Sequence, residues 1–396
     1  RKDILVVYTI NMYIAILGRQ PAIGMAELEQ VFGDVRWFSD QSAVINTHHF
    51  DIEHLGGTLK AGRIVAELPN GDWRKASMKL VQAYAQAWSD VEGKITLGIS
   101  AYGFNVSARE VQKTGIVLKG KLKAKNVSLR LIPNSEPALN TAASHHNKLG
   151  LSNNKVELLV IRARNGKVII AESVGAQNIT ALARRDQERP KRDAFVGMLP
   201  PKLAQIMINL ASSGNERAGH PSLTDLTQQE RQRPAQEGDE AVSSSLARPT
   251  LLDPFCGTGV LLQEALLLGY NVYGTDLADK MIDYSRVNMD WIKTISHAEG
   301  DYKLEQGDAM TTKWQQPIDV IACETYLGQP FSAPPSPSKL IEVRGNCDHI
   351  ISDFLRNIAE QLQPGTPLCV AVPAWRAVDG SFTHLPLINK LTQLGY

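Results

Sequence analysis

From residue 249 to the end of the chain, short apolar runs alternate with longer stretches of helical period. Thr250-Leu251-Leu252 reads as a buried strand, and Val260 to Leu268 as a helix that stops at Gly269. A second strand runs from Asn271 to Thr275 and ends in Asp276. The helix after it carries Met281, Ile282, Tyr284, Val287 and Trp291. Tyr302 to Asp308 predicts a third strand and Ile318 to Cys323 a fourth. A helix from Ile350 to Leu362, a turn at Pro364-Gly365, a fifth strand from Leu368 to Val372 and one more helix follow. This alternation predicts a parallel sheet with helices on both faces.

The first half has a different rhythm. Residues 1 to 60 mix short strands with one helix, Ile23 to Phe32. The apolar start, Ile4 to Leu17, is too short to span a bilayer and reads as a first strand. A helix follows from Trp73 to Trp88, with Met78, Val81, Ala85 and Trp88 at helical spacing. Next come a strand (Ile95 to Ala101), a helix (Ala108 to Lys125) and a strand (Val127 to Ile132). The strands Glu157 to Ala163 and Lys167 to Val174 flank Asn165-Gly166, a hairpin signal. This predicts a compact α+β module. Leu199-Pro200-Pro201-Lys202 opens a further helix. Ser212 to Arg248 is poor in apolar residues, lacks aromatics and reads as a mobile insertion.

Composition narrows the classes. The 396 residues allow two or three domains, and 43% hydrophobic with 21% charged residues is the balance of a globular protein. A net charge of +1 means that any polyanion site comes from local clustering. Such a cluster exists: the Ala108 to Lys125 helix carries Arg109, Lys113, Lys119, Lys121, Lys123 and Lys125 against Glu110, and Arg130 and Lys148 add to it. A lysine-rich helix suits either plain solvation or phosphate contacts. Cys256, Cys323, Cys347 and Cys369 lack metal-ligand spacing, so no metal and a reducing cytoplasm are expected. His145-His146 has no partner ligand at metal spacing and reads as surface or RNA contact. Arg1 in place of Met points to a fragment or a processed chain.

The chemistry concentrates in Asp253-Pro254-Phe255-Cys256-Gly257-Thr258-Gly259, between the first strand and its helix. Glycine lets backbone approach a ligand closely and tolerates positive φ. The acid at the second strand's tip is where nucleotide-binding α/β folds hold ribose hydroxyls. The third glycine of a dinucleotide fingerprint is replaced by Leu262, and the Walker lysine is missing. The loop therefore suits a ligand with a ribose and a cationic group but no phosphate, a description that S-adenosylmethionine fits.

With that loop, two further segments resemble the THUMP-domain tRNA guanine-N2 methyltransferases. These are Arg185-Asp186-Gln187-Glu188-Arg189-Pro190-Lys191-Arg192-Asp193 and Met198-Leu199-Pro200-Pro201-Lys202-Leu203-Ala204. The resemblance covers most of the chain. It implies an α/β fold: a C-terminal Rossmann-like class I methyltransferase domain behind an N-terminal α+β ferredoxin-like and THUMP-like RNA-binding region. The expected divisions are a ferredoxin-like piece over 1–60, a THUMP-like domain over 61–180, a connecting segment and first catalytic helix over 181–211, the insertion over 212–248 and the catalytic domain over 249–396. The closing strand pair of a full methyltransferase sheet has no sequence left to form it, so an incomplete C-terminus is expected. The resemblance also implies that the loop, with Asp253, Phe255, Gly257 and Gly259, faces the cofactor's methionine part, Asp276 its ribose and Asp308 its adenine. It implies tRNA as partner, and the basic cluster supplies Lys113, Lys119, Lys121, Lys123, Lys125 and Arg130 as candidate RNA contacts.

One motif departs from the pattern. Amino-directed methyltransferases carry Asp/Asn-Pro-Pro-Tyr/Phe after the fourth strand, whereas this chain has Cys323-Glu324-Thr325-Tyr326-Leu327-Gly328. Glu324 is the candidate acceptor for an exocyclic amine, or a surface cap. Tyr326 is the candidate stacking partner for a flipped base, or strand-end packing. Pro330 to Pro337 reads as a lid or a rigid loop. Two alternatives to a tRNA guanine-N2 methyltransferase stay open: a DNA amino-methyltransferase, and an RNA-binding protein that keeps the fold without turnover.

Overall fold

The structure is a computed structural model that describes residues 11–193, 199–212, 248–329, 331, 335–377 and 379–396. The strand expected at Ile4 to Leu17 falls partly, and the insertion over 212–248 almost wholly, outside the described residues. The chain divides into two compact units, Arg1–Ala183 and Arg184–Tyr396.

The first unit is built on one eight-stranded mixed sheet. Its strands are β1 (Met12–Leu17), β2 (Val35–Ser39), β3 (Ser42–Asn46), β4 (Thr58–Leu68), β5 (Lys94–Tyr102), β6 (Ser128–Leu131), β7 (Lys155–Arg162) and β8 (Val168–Ala176). Their order is β2-β3-β1-β4-β8-β7-β5-β6. Pairing is antiparallel except where β5 meets β6 and β7. Helix α1 (Pro21–Phe32) packs on the β1–β3 side through Met25 and Leu28. Helices α2 (Trp73–Ala87) and α3 (Ala108–Lys123) cover the other half through Leu80, Tyr84, Val111, Leu118 and Leu122. Ser107 caps α3 in a reciprocal capping box with Glu110.

The sheet corrects two expectations. The division at residue 60 falls inside β4, which pairs β1 on one side and β8 on the other, so its hydrogen-bond ladders continue across the expected boundary. Met78, placed on the apolar face of α2, is 63% exposed. The buried stripe is Ala76, Leu80, Val81, Tyr84 and Ala85, because the sheet meets the helix one position further round. Two short helices follow, α4 (Thr141–His146) and α5 (Ile179–Gln187).

In the second unit, five parallel strands form a sheet of order β11-β10-β9-β12-β13. These are β9 (Thr250–Asp253), β10 (Asn271–Asp276), β11 (Tyr302–Gln306), β12 (Val320–Glu324) and β13 (Leu368–Ala371). Helices α6 (Pro201–Ala211), α7 (Val260–Leu267) and α8 (Asp279–Ser296) pack on one face, where Leu251, Val272, Val320 and Ala322 point. Helix α9 (Pro337–Ala359) packs on the other, against Leu252, Tyr273, Ile321 and Cys323. This alternation at consecutive residues is what a strand covered on both sides requires. The chain order reverses between β9 and β12, so the crevice at their C-terminal ends is the switch point where such folds bind ligands.

Two helices differ from expectation. Helix α9 starts thirteen residues before Ile350, because Ser336 caps it and Pro337 occupies its first turn. Those residues belong to the proline-rich stretch read as a lid, of which 330 and 332–334 lie outside the described residues. On α8, Val287 is exposed and Tyr284 and Trp291 are half-buried; the buried stripe is Met281, Ile282, Ser285, Asn288, Met289 and Ile292. After β13 come a two-stranded ribbon, β14 (Trp375–Arg376) with β15 (Phe382–Thr383), and a 3-10 helix, Pro386–Leu394. Among the described residues, no helix is long and apolar enough to cross a membrane.

Candidate active site

The site grows from the end of β9. Asp253 is buried, and its Oδ1 accepts the Phe255 N–H at 3.1 Å, which turns the chain out of the strand. Phe255 then packs edge-on against Phe354 of α9, ring centroids 5.2 Å apart. Gly257 and Gly259 adopt positive φ, 53° and 80°. A Cβ on Gly259 would lie 2.9 Å from Ser285 Oγ, so the turn needs glycine there for space as well as for backbone freedom.

The loop is locked to the second strand by its backbone. Gly257 N–H donates to Asp276 Oδ2 at 3.0 Å, and Ala278 N–H donates to Oδ1 at 2.9 Å. The glycine absent at Leu262 has a counterpart on the sheet: a Cβ on Gly274 of β10 would meet Leu262 Cδ1 at 2.5 Å. A bare strand position here lets α7 approach the sheet with a leucine in place of a dinucleotide site's helix glycine.

Asp308 lies two residues past the end of β11. Gly307 N–H donates to the Asp276 carbonyl at 3.0 Å, which draws the Asp308 loop to the β10 tip. Asp308 Oδ1 accepts from Met310 N–H at 2.9 Å. On the other side of β9, Glu324 ends β12. Thr325 fixes the next turn by donating both its N–H (3.1 Å) and its hydroxyl (2.8 Å) to the Ala371 carbonyl. Tyr326 projects from this turn, 44% exposed.

Charge at this edge is of one sign. Burial pushes the Asp253 carboxyl well above its ordinary range, opposed by the Phe255 N–H and reinforced by Asp276 and Glu324. Burial also raises Asp276, against the pull of its two N–H donors, and raises Glu324. Cys256 and Cys323 are buried, their thiols pushed well up by desolvation, and act as packing. Among the described residues, no group of His, Cys, Asp or Glu is arranged to hold a metal.

The structure thus brings Asp253, Phe255, Gly257, Gly259, Asp276, Asp308, Glu324 and Tyr326 to one edge of one sheet. The candidate RNA contacts belong to the other unit. Lys113, Lys119, Lys121 and Lys123 are exposed on α3, Lys125 follows its end with Nζ on the Ala85 carbonyl at 3.1 Å, and Arg130 is exposed on β6. His146 of α4 contacts Thr180 Oγ1 at 3.2 Å.

Sequence reading missed the supports behind the loop. Ser285 Oγ donates to the Gly257 carbonyl at 2.8 Å, and Asn288 Nδ2 donates to the Thr258 carbonyl at 2.8 Å. Asn288 also exchanges hydrogen bonds of 2.9 Å with both backbone groups of Lys191, tying the Arg-Pro segment to the glycine loop. Lys280 holds Asp193 at 2.8 Å, and the Lys191 and Lys280 ammonium groups lie 5.3 and 5.2 Å from the Tyr284 ring centre. Arg185 grips buried Glu264 of α7 through two nitrogens, at 2.6 and 3.0 Å. The signal was present: two polar residues, 285 and 288, interrupt an otherwise apolar helical stripe.

A five-stranded parallel sheet in this order, with a glycine loop after its central strand and an acid at the next tip, is a doubly wound, Rossmann-like nucleotide-binding arrangement. No protein-family model matches the chain. The chain is similar to the tRNA (guanine(10)-N2)-dimethyltransferase of Methanothermobacter thermautotrophicus, 26% identical over 190 residues, covering 48% of this chain and 43% of the relative. It is also similar to the Pyrococcus abyssi protein of that name, 27% identical over 135 residues, covering 34% and 26%. The matched region spans less than half the length of these curated relatives. Among solved structures, TrmN from Thermus thermophilus aligns with a TM-score of 0.46 at 18% identity, over 91% of this chain and 89% of that one. A predicted N6-adenine-specific DNA methylase from Listeria monocytogenes aligns at 0.42 and 11% identity, over 96% and 90%.

Proposed function

We propose that this chain is an S-adenosylmethionine-dependent methyltransferase that acts on the exocyclic N2 of a guanosine in tRNA. The observation that carries it is the edge where Asp253, Asp276 and Glu324 surround a glycine loop with no cation among them. The cofactor, when bound, supplies an electrophilic methyl on a sulfonium. A crowd of carboxylates complements that positive charge, and Asp276 keeps lone pairs for ribose hydroxyls beside its two backbone bonds. Asp308, drawn to the same tip, would hold the adenine. The loop's turn excludes bulk at Gly259 and takes a positive φ at Gly257.

An exocyclic amine is a poor nucleophile because its lone pair is delocalised into the ring. Glu324 would accept a hydrogen bond from the amine, which favours rehybridisation of the nitrogen, and would take up the proton that the amine gives up. Tyr326, exposed at the strand end, gives the flipped base a face to stack on. The α3 lysines with Arg130 provide phosphate contacts. THUMP-like and ferredoxin-like roles for the first unit, and a reducing cytoplasmic setting for four unpaired thiols, complete the reading.

Nucleoside mass spectrometry after incubation with cofactor and either tRNA or duplex DNA tests it. N2-methylguanosine formed in tRNA is the expected product. Methylation of DNA alone supports the amino-methyltransferase alternative. Cofactor binding without transfer to any nucleic acid supports a binding protein that has lost turnover.

A further inference from the structure

We propose that the first unit carries a separate groove for an unpaired ribonucleotide, built around Trp37. The proposal rests on the reading that the substrate is RNA, and it adds a binding site outside the catalytic edge. Two adjoining cavities, of about 520 and 370 Å³, share Trp37, Phe38 and Asn165 in their walls. One wall is the edge strand β2. Its register against β3 shifts between Trp37 and Ser39, the kind of irregularity that re-aims side chains on edge strands. Phe38 packs against the sheet's core, while Trp37 is left 48% exposed beside the cavity.

The opposite wall is the turn between β7 and β8. There Arg164 is held by Asp40, its Nε at 3.0 Å and its Nη2 at 2.6 Å from Oδ2. Arg36 and Lys167, both exposed, line the smaller cavity with Glu67. Three cations and two acids therefore surround a half-exposed indole in a concave site. A base splayed out of a strand fits this combination: it offers a flat face to Trp37 while its phosphates meet Arg36, Arg164 and Lys167. Duplex nucleic acid keeps its bases stacked and has nothing to insert. The positive excess also argues against an acidic wall's natural partner, a cationic peptide.

The test titrates the whole chain with a single-stranded octaribonucleotide carrying one 4-thiouridine, and with the same sequence as a duplex. Trp37→Ala should weaken single-strand binding roughly 10- to 100-fold, the range one base–aromatic stack contributes, and Trp37→Phe should restore most of it. Arg164→Ala should flatten the salt dependence by a slope of about 0.7. Photocrosslinks should map to the β2 peptide, and duplex binding should ignore Trp37. Equal affinity of the wild-type chain and Trp37→Ala, or crosslinks confined to other peptides, would overturn the groove. Methyl transfer to tRNA, measured in parallel, separates the two ideas. Transfer with an indifferent Trp37 removes the groove and leaves the catalytic reading. Trp37-dependent strand binding without transfer to any RNA does the reverse.

Discussion

In the eight-stranded sheet, the buried carboxylate of Glu157 meets a buried cation: Lys60 Nζ lies 2.5 Å from its Oε1, and Ser100 donates to the same oxygen. Lys60 also donates to the Leu139 carbonyl at 2.6 Å, and Glu157 N–H to Ser173 Oγ at 2.9 Å. At the edge of the five-stranded sheet, Asp253, Asp276 and Glu324 converge, and among the described residues no ion pair reaches any of them. The first arrangement is closed, with charge compensated inside the fold, so it serves structure. The second is open. The N–H groups of Phe255, Gly257 and Ala278 offset only part of its mutual repulsion and desolvation, and positive charge brought in from outside would relieve the rest. Buried charge alone does not mark a site; buried charge without an internal counter-ion does.

That contrast can be broken by single substitutions. Lys60→Met leaves Glu157 buried and unpaired and should destabilise the protein by about 3–5 kcal/mol, read as a shift in denaturant midpoint. The double change Lys60→Met with Glu157→Gln should recover much of it. At the open edge, Glu324→Ala should lower turnover about 100-fold with cofactor affinity intact, as expected for an acceptor used mainly in the transition state. Wild-type rates for both Glu324→Ala and Tyr326→Ala would move the base site elsewhere.

Asp276→Ala should weaken cofactor binding by roughly 1.5–3 kcal/mol in calorimetry, since it removes charge-assisted bonds. Asp253→Asn sharpens the comparison further. Because the folded Asp253 carboxyl titrates above the ordinary range, folding takes up a proton, and stability falls as pH rises through that window. The asparagine variant should lose this pH dependence and unfold no more easily than wild type at neutral pH, while binding cofactor more weakly. Unchanged affinity would show that the carboxylates are crowded for some other reason. The smallest effect expected is for Ser285→Ala, about 1 kcal/mol of stability from one lost bond to the Gly257 carbonyl.

Strands and helices of the second unit were legible because each buried strand is a short apolar run bounded by turn residues, and Asp253 to Asp276 spells its loop locally. The start of α9 was hidden by Pro337, which reads as a breaker yet is favourable in a first helical turn. The single sheet of the first unit was hidden for another reason. The pairing of β4 with β8 joins residues a hundred or more positions apart, and no local pattern encodes it. The loop's clamp from Ser285 and Asn288 was visible only as polar residues where apolar ones were due. The placement of Glu324 relative to its neighbours needed the turn that Thr325 makes.

The span of β4 bears on how the protein can be cut. A chain beginning at residue 61 would lose β1, β2 and β3 and the first three residues of β4, Lys60 among them. The remaining β4 edge would face water with the row of N–H and C=O groups that β1 now occupies, a template for sticking to other copies. Glu157 would lose its cation at the same stroke. A fragment meant to isolate the first unit should therefore keep β1, whereas a cut near residue 184 severs no strand ladder among the described residues.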